Sequence, residues 1–305
     1  MRTIAILIPY FGKWPAWIDL YFDSVERNSS IDFHFITDCD TSISSALNVF
    51  FYEMSFDAYV AHAQKIIGFS INIPNPYKLC DLRPIFGIIH SDIIEKYDFY
   101  GWTDVDLLFG NIREFYTDQI LSSYEVFSTH SNRISGHLAL FTNTRENKSK
   151  YLSIYDWKTV IQNPEFVGID EHGITNAYTM TFFDKINEKF NLKINNFITQ
   201  FFKKRKIKKL YLVEQYTTPF TPITWLDGTI NSDQPSIWYY YQGEVTNSRD
   251  SRNFIYIHFM NFKGSLWRQD GTKAPWEGKE NIYYITSKDF KKKITVCEQG
   301  ILLIR

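Results

Sequence analysis

The sequence predicts an α/β protein in which a buried sheet is flanked by helices. Three apolar runs rich in β-branched and aromatic residues, at 3–9, 32–37 and 49–54, have the length and composition of buried strands. Between the first two runs, at 17–25, and after the third, at 55–69, apolar residues recur at the spacing of amphipathic helices. This alternation favours parallel strands, whose ligands bind at the carboxyl ends of the strands.

The next part of the chain places two acids at such a strand end. Apolar residues at 85–94 have helical spacing, and Pro84 is tolerated only in the first turn of that helix. A strand is expected at 98–103, and Asp104 and Asp106 follow it directly. We therefore expect the functional site around these two carboxylates.

The remaining pattern predicts further strands and helices, followed by a region of short strands. The expected strands are at 125–129, 137–142, 210–213, 237–241, 254–259, 282–285 and 294–303, and the expected helices at 148–161 and 171–190. A turn signal near residue 270 suggests a domain at 1–270 with a β-rich extension, 271–305, packed on it.

Composition narrows the class of protein. Hydrophobic residues make up 44% of the 305-residue chain, which predicts a folded protein and argues against disorder. The aromatic share of 18% suits either a sugar-binding cleft or an aromatic core. A net charge of −1 gives no reason to expect nucleic acid as a partner.

Cysteine usage and hydropathy bear on the compartment. Cys39, Cys80 and Cys297 are scattered and lack metal-ligand spacing, so neither a disulfide framework nor a zinc site is expected. No run approaches the roughly 20 apolar residues that cross a bilayer. A cytoplasmic protein, with or without peripheral contact at the inner face of the membrane, fits these observations.

Asp104 and Asp106 are candidate metal ligands. Flanking a single residue where a strand bends into a loop, both carboxylates can converge on one hard cation such as Mn²⁺ or Mg²⁺. The alternative is a solvated turn in which an aspartate caps the next segment. The apolar run before them favours the metal, because buried carboxylates without a cation are costly.

Residues 77–106 resemble a known enzyme block. Lys78, Asp81 and Arg83-Pro84 precede the expected helix, and Asp104-Val-Asp106 comes after it. This order resembles the Lys…Asp…Arg to Asp-x-Asp block of GT-A glycosyltransferases, including the sugar-binding enzymes with a DXD motif. The resemblance implies a GT-A fold, a Rossmann-like mixed sheet that binds a nucleotide-diphospho-sugar.

A second match lies at residues 256–264, which are similar to the His…Gly-x-x-Lys element of glycosyltransferase family 8. The resemblance implies that His258 completes the metal site and that Lys263 binds the diphosphate, although the glycine of the family pattern is missing. From the residues alone, His258 is either a core histidine or a third ligand. Bacterial glycosyltransferases of O-antigen, capsule or other polysaccharides, including galactofuranosyltransferase-like enzymes, are the expected relatives.

Donor binding is expected at two places. The nucleotide is expected to bind at the carboxyl ends of the first two strands, and the resemblance implies that its base is uracil. The candidate residues at these strand ends are Pro9, Tyr10, Phe11, Thr37 and Asp38. Lys78, Asp81 and Arg83 can bind sugar hydroxyls or diphosphate oxygens, or else serve as a cap and an exposed arginine. His137 would contact the donor or the acceptor, or belong to a plain turn.

Proton removal needs a further carboxylate. Asp170 and Glu171 precede an expected helix, and in an inverting enzyme such a group takes the proton of the acceptor hydroxyl. Asp170 is the first candidate and Glu171 the second. The alternative is an N-cap, a position that suits aspartate.

A basic and aromatic segment, 197–213, offers a surface role. It carries six basic residues and no acid before residue 213, which suits docking on anionic lipid near a lipid-linked acceptor. A solvated basic face explains the same pattern.

Together these features predict a metal-dependent hexosyltransferase that moves a sugar from a UDP-sugar to a saccharide acceptor at the bacterial cell surface. Two alternatives stay open. A metal-dependent sugar nucleotidyltransferase would need a triphosphate loop, which residues 10–13 imitate poorly. A non-catalytic carbohydrate-binding or surface-interaction protein would need no nucleotide.

Overall fold

The structure is a computed structural model, and it describes five parts of the chain: 1–180, 208–219, 237–249, 252–264 and 271–304. In place of the helix expected at 171–190, the described residues have a π-helical turn to Gly173 and an α-helix that begins at Ile174 and ends at Thr179, where Met180 is extended. Most of the basic segment 197–213 lies outside the described residues, so its expected membrane contact stays a prediction.

Strands and helices alternate along the first half of the chain, and mostly short strands follow in the second half. The strands are β1 (Ile4–Tyr10), β2 (Asp32–Thr37), β3 (Val49–Glu53), β4 (Phe99–Thr103), β5 (Leu107–Phe109), β6 (Val126–Ser128), β7 (Leu138–Thr142), β8 (Leu210–Leu212), β9 (Trp238–Tyr241), β10 (Glu244–Asn247), β11 (Tyr256–His258), β12 (Ile294–Cys297) and β13 (Gly300–Leu303). The α-helices are α1 (Ile18–Glu26), α2 (Phe56–Ile67), α3 (Phe86–Ile89), α4 (Ser91–Ile94), α5 (Ile112–Phe115), α6 (Asp118–Ser123), α7 (Arg145–Lys148), α8 (Trp157–Gln162), α9 (Ile174–Thr179) and α10 (Met260–Lys263).

A seven-stranded mixed sheet forms the centre, in the order β3-β2-β1-β4-β7-β6-β8. The strands β3, β2, β1 and β4 run parallel, whereas β7 pairs antiparallel with both β4 and β6. The predicted fold class, an α/β mixed sheet flanked by helices, is confirmed. Because β1 and β4 are parallel neighbours, their carboxyl ends open at the same edge.

Apolar side chains cover both faces of this sheet. Tyr59 and Trp102 belong to one buried cluster, and Tyr21, Phe22 and Phe35 belong to the cluster on the other face. Much of the aromatic excess therefore builds the core, where large rings bury the most apolar area per residue.

The helix expected at 85–94 is interrupted. A 3-10 helix spans Pro76–Ile85, and the α-helical part breaks at His90 into α3 and α4. His90 separates the two helices, and its buried imidazole pairs with the hydroxyl of Tyr59 at 3.0 Å. The helix expected at 148–161 is likewise divided, and only Trp157–Gln162 is α-helical at its end.

The C-terminal strands form a separate sheet in the order β10-β9-β12-β13. Two of its strands precede residue 270 and two follow it, so the β-rich unit begins before the expected boundary. The strand expected at 294–303 is a hairpin of β12 and β13, because the chain turns at Glu298 and Gln299 between the paired residues Cys297 and Gly300. At 282–285 the structure has a single bridge, Tyr283 to Ile301, instead of a strand.

Candidate active site

A cleft of about 740 Å³ opens at the carboxyl ends of β1 and β4. It brings together most of the candidate site residues, and the candidates in its lining are Pro9, Tyr10, Phe11, Arg83, Asp104, Asp106, His137, Asp170, Glu171, His258 and Lys263. Thr37, Asp38, Lys78 and Asp81 do not line it. The residues in the lining come from sequence positions more than 250 apart.

Asp104, Asp106 and His258 meet at the centre of the cleft. Each offers one donor atom, and the three atoms lie within 4.8 Å of one another. Strand pairing explains the meeting, because β5 begins directly after Asp106 and its Leu107 pairs with His258 of β11. In the residues that the structure describes, this is the group of side chains with the geometry of a metal site.

Two cations face this acidic group. The guanidinium of Arg83 donates to Asp104, and Lys263 Nζ donates to Asp106 Oδ2 at 2.5 Å. Burial raises the pKa of Asp104, and Arg83 opposes that effect. Burial acts on Asp106 in the same direction, but Lys263 and His258 outweigh it, so the pKa of Asp106 lies well below its ordinary value.

This donor set fits a hard divalent cation. Two carboxylates and one imidazole are the mixed oxygen and nitrogen ligands that Mn²⁺ accepts, and the two carboxylates also suit Mg²⁺. Arg83 and Lys263 stand where they could bind the oxygens of a diphosphate, which carries charge opposite to theirs. The cleft therefore combines ligands for a cation with partners for an anion.

Asp170 is buried at the wall of the cleft with one carboxylate oxygen unsatisfied. It lies in a π-helical turn, Ile169–Gly173, and Oδ2 accepts a hydrogen bond from Arg83 Nη1 at 2.9 Å. Oδ1 has no hydrogen-bond partner among the described residues. Burial raises the pKa of Asp170 to about 7, and Arg83 partly opposes it. The side chain makes no cap, since the turn begins at Gly168 without a side-chain cap.

Glu171 is committed to holding a loop. Its Oε1 accepts the backbone N–H of Gly136 at 3.0 Å, and its Oε2 accepts from Arg133 Nε at 3.1 Å. Gly136 has little room for a side chain, because a Cβ there would lie 3.1 Å from Glu171 Oε1 and 3.2 Å from Asp170 Oδ2. Both carboxylate oxygens of Glu171 are therefore occupied by hydrogen bonds, whereas one oxygen of Asp170 has no partner among the described residues.

A group of histidines lies beside the metal ligands. His137 stacks on His258 with ring centroids 4.1 Å apart, and burial lowers its pKa well below the ordinary value. Its Nε2 is buried without a partner among the described residues. His130, which sequence analysis missed, bonds to Glu214 through Nδ1 at 3.2 Å. Only folding brings these residues together, so no local pattern pointed to His130.

The carboxyl end of β1 forms another part of the cleft lining. Tyr10 stacks on Trp14 with ring centroids 5.0 Å apart, whereas Phe11 is mostly buried against Phe56. Asp38 does not line the cleft, because its Oδ1 accepts the N–H of Gly12 at 2.7 Å and ties the ends of β1 and β2 together.

Thr37 is also withdrawn from the cleft. It is fully buried, and its hydroxyl oxygen accepts the N–H of Cys39 at 3.0 Å. Thr37 therefore shapes the turn after β2, and its side chain is occupied there.

Lys78 and Asp81 form a buried ion pair behind the cleft wall. Lys78 Nζ lies 2.8 Å from Asp81 Oδ2 and also donates to the carbonyl oxygens of Val160 and Glu165. Asp81 accepts three backbone N–H groups, from residues 167 to 169. Both side chains are 1% exposed or less and do not line the cleft, so their donor binding stays a prediction. Of the Lys…Asp…Arg element, only Arg83 reaches the cleft.

Residues 6–294 match the model of a family of unknown function, DUF6625. The chain belongs to this family. No curated protein matches the sequence.

Several solved structures are similar to this one, and three of them are glycosyltransferases by name. Mouse xyloside xylosyltransferase 1 is 10% identical, with 73% of this chain and 89% of that chain covered at a TM-score of 0.36. The galactosyltransferase LgtC is 10% identical, with 58% and 70% covered at 0.32. GlyE of Streptococcus pneumoniae is 11% identical at 0.29, with 70% and 46% covered, so the similarity spans less than half of GlyE.

Helices of membrane-crossing length and apolarity are absent from the parts of the chain that the structure describes.

Proposed function

We propose that this protein is a metal-dependent glycosyltransferase that moves a sugar from a nucleotide-diphospho-sugar to a saccharide hydroxyl. One observation supports this proposal above the others. A single cleft holds an Asp-Asp-His ligand set, two cations beside it, and a buried carboxylate with a free oxygen. The sequence resemblance to GT-A enzymes with a DXD motif points to the same activity.

Asp104, Asp106 and His258 would hold Mn²⁺ or Mg²⁺. The ion would act as a Lewis acid on the diphosphate and offset the charge of the leaving group. Arg83 and Lys263 would bind the diphosphate oxygens, because both are cations in the cleft lining beside the carboxylates of Asp104 and Asp106. Tyr10 and Trp14 present stacked rings at the exit of β1, where the base of the nucleotide binds. Uracil is the base that the resemblance implies.

Asp170 is the general base. The acceptor oxygen attacks the anomeric carbon, the bond from that carbon to the diphosphate oxygen breaks, and the hydroxyl proton passes to the carboxylate of Asp170. Arg83 holds Oδ2 of that carboxylate in place at 2.9 Å. Direct displacement by this route inverts the anomeric configuration.

The acceptor class follows from the resemblance. Bacterial O-antigen and capsule enzymes extend lipid-linked or cell-surface polysaccharides, so we place the protein at the cytoplasmic face of the membrane, with residues 197–213 contacting anionic lipid. Donor sugar and linkage are set by pocket contacts that screening must identify.

A donor-hydrolysis screen over UDP- and GDP-sugars with Mn²⁺ tests the proposal. We expect release of UDP from at least one UDP-sugar, loss of that release in EDTA, and a product whose anomeric configuration NMR shows to be inverted. A product with retained anomeric configuration would exclude the direct displacement mechanism. If no nucleotide-sugar is hydrolysed and no nucleotide raises the melting temperature, a carbohydrate-binding protein would be the better description.

A further inference from the structure

An exposed aromatic pair lies on the rim of the cleft. Tyr77 is 55% exposed and Phe166 is 37% exposed, and both line the cleft that holds Asp170. Their ring centroids lie 4.9 Å apart at an interplanar angle of 63°. Large exposed rings cost hydrophobic free energy unless a ligand covers them.

The buried ion pair behind the rim holds both rings in place. Tyr77 directly precedes Lys78, whose ammonium group donates to the carbonyl of Glu165 on one side of Phe166. On the other side, the N–H of Val167 donates to Asp81. Tyr77 is thus adjacent to the buried Lys78, and Phe166 lies between two residues whose backbone groups bond to the ion pair. This arrangement gives a preorganised surface, which costs a ligand little ordering entropy.

We propose that Tyr77 and Phe166 form a subsite for a pyranose ring of the saccharide acceptor. Pyranose rings present flat C–H faces that pack on aromatic rings, and their hydroxyls remain free to reach polar groups. The subsite rests on the proposed glycosyltransferase function for its assignment to the acceptor.

Position separates this pair from the nucleotide end. Tyr10 and Trp14 stack at the exit of β1, and Trp14 Nε1 donates to the carbonyl of Asp40 beyond the end of β2. Tyr77 lies instead in the 3-10 helix that carries Arg83, whose guanidinium donates to Asp170 Oδ2. An acceptor seated on Tyr77 is therefore on the side of the cleft where Asp170 lies.

Saturation-transfer NMR with methyl galactoside, methyl glucoside and methyl N-acetylglucosaminide tests the subsite without any nucleotide. Losing one stacked ring should weaken binding about three- to tenfold in Tyr77→Ala, more in the double variant with Phe166→Ala, and little in Tyr77→Phe. Tyr155→Ala is the matched control, since Tyr155 is 93% exposed and lies outside the cleft lining.

Equal saturation in the wild type and the double variant would overturn the subsite, as would the absence of binding by all three glycosides. In transfer assays, we expect a three- to tenfold rise in acceptor KM for Tyr77→Ala, with a smaller change in the KM of the UDP-sugar. A larger effect on the UDP-sugar would assign the rings to the donor and overturn the proposal. Failure to hydrolyse any nucleotide-sugar would instead count against the proposed function, because the NMR experiment needs no donor.

Discussion

Replacing Asp170 by asparagine should remove activity and at the same time change how stability depends on pH. Burial raises the pKa of this aspartate from 3.8 to about 7, with Glu171 and Asp104 acting in the same direction and Arg83 against it. At about 1.4 kcal/mol for each pKa unit, ionising Asp170 costs about 4 kcal/mol more in the folded protein than in the unfolded chain. Asparagine keeps the shape but carries no proton that can be lost.

The sign of this effect is fixed by the raised pKa. Between about pH 4 and pH 7 the folded state binds more protons at Asp170 than the unfolded state, so the contribution of Asp170 to stability falls as pH rises. Asp170→Asn lacks that fall. Relative to the wild type, the variant should therefore gain up to about 4 kcal/mol between pH 4 and pH 8.

Urea unfolding of both proteins in EDTA at several pH values measures this difference. Transfer kcat/KM in Mn²⁺ should fall about 10²- to 10⁴-fold in the variant, which is the usual contribution of a general base. Wild-type kcat/KM should rise with pH up to about 7 and then level off. If the free energy of unfolding of the two proteins depends on pH in the same way, the pKa of Asp170 is not raised by burial. If the variant retains transfer activity, Asp170 is not the general base.

Two further substitutions test the surroundings of this acid. Gly136→Ala should lower kcat/KM by about tenfold or more, because the new methyl group would lie 3.1 to 3.2 Å from the carboxylate oxygens of Glu171 and Asp170 and displace them; steady-state kinetics measure the loss. Asp81→Ala should destabilise the protein by about 3 to 5 kcal/mol in urea unfolding, because it leaves the buried ammonium of Lys78 without its charged partner.

Each of these substitutions has a matched control. Gly264→Ala adds a methyl group to open space, so kinetics close to those of the wild type are expected. Glu125→Ala breaks an ion pair with Lys209 that is exposed on both sides, and should cost less than about 1 kcal/mol. If Asp81→Ala costs no more than Glu125→Ala, the buried pair is not the anchor that the rim of the cleft requires.

The sequence predicted the central fold because the pattern there is local. Apolar runs of β1, β2, β3 and β4, with helical spacing between them, specify a parallel arrangement without further information. The mixed part of the sheet was implied by the resemblance to GT-A enzymes. The break between α3 and α4 at His90 was not predictable, because the apolar spacing at 85–94 is helical across it.

The candidate site was predicted where a residue's own neighbours revealed its place. Asp104 and Asp106 end a strand, and that position alone brings them to the cleft. Lys78 and Asp81 were assigned to donor binding because they are charged and precede Arg83, but their partners lie more than 80 residues away. Burial of an ion pair against another loop leaves no local signal.

Sequence analysis missed other residues of the site for the same reason, since their partners are distant in the sequence. Tyr77 and Phe166 are separated by 89 positions, and only the anchoring of their loops brings the rings together. His130 reaches the cleft through the antiparallel return of the chain from β6 to β7.

Calorimetric titration of UDP into the protein, with and without Mn²⁺, tests the central claim most directly. We expect UDP to bind the wild type in Mn²⁺, and binding to weaken at least tenfold in EDTA and in the variant Asp106→Asn, which retains the shape of the ligand but not its charge. Electron paramagnetic resonance should show Mn²⁺ held by the wild type and released by the variant. Equal UDP binding in all three conditions would contradict a cation bound by Asp104, Asp106 and His258.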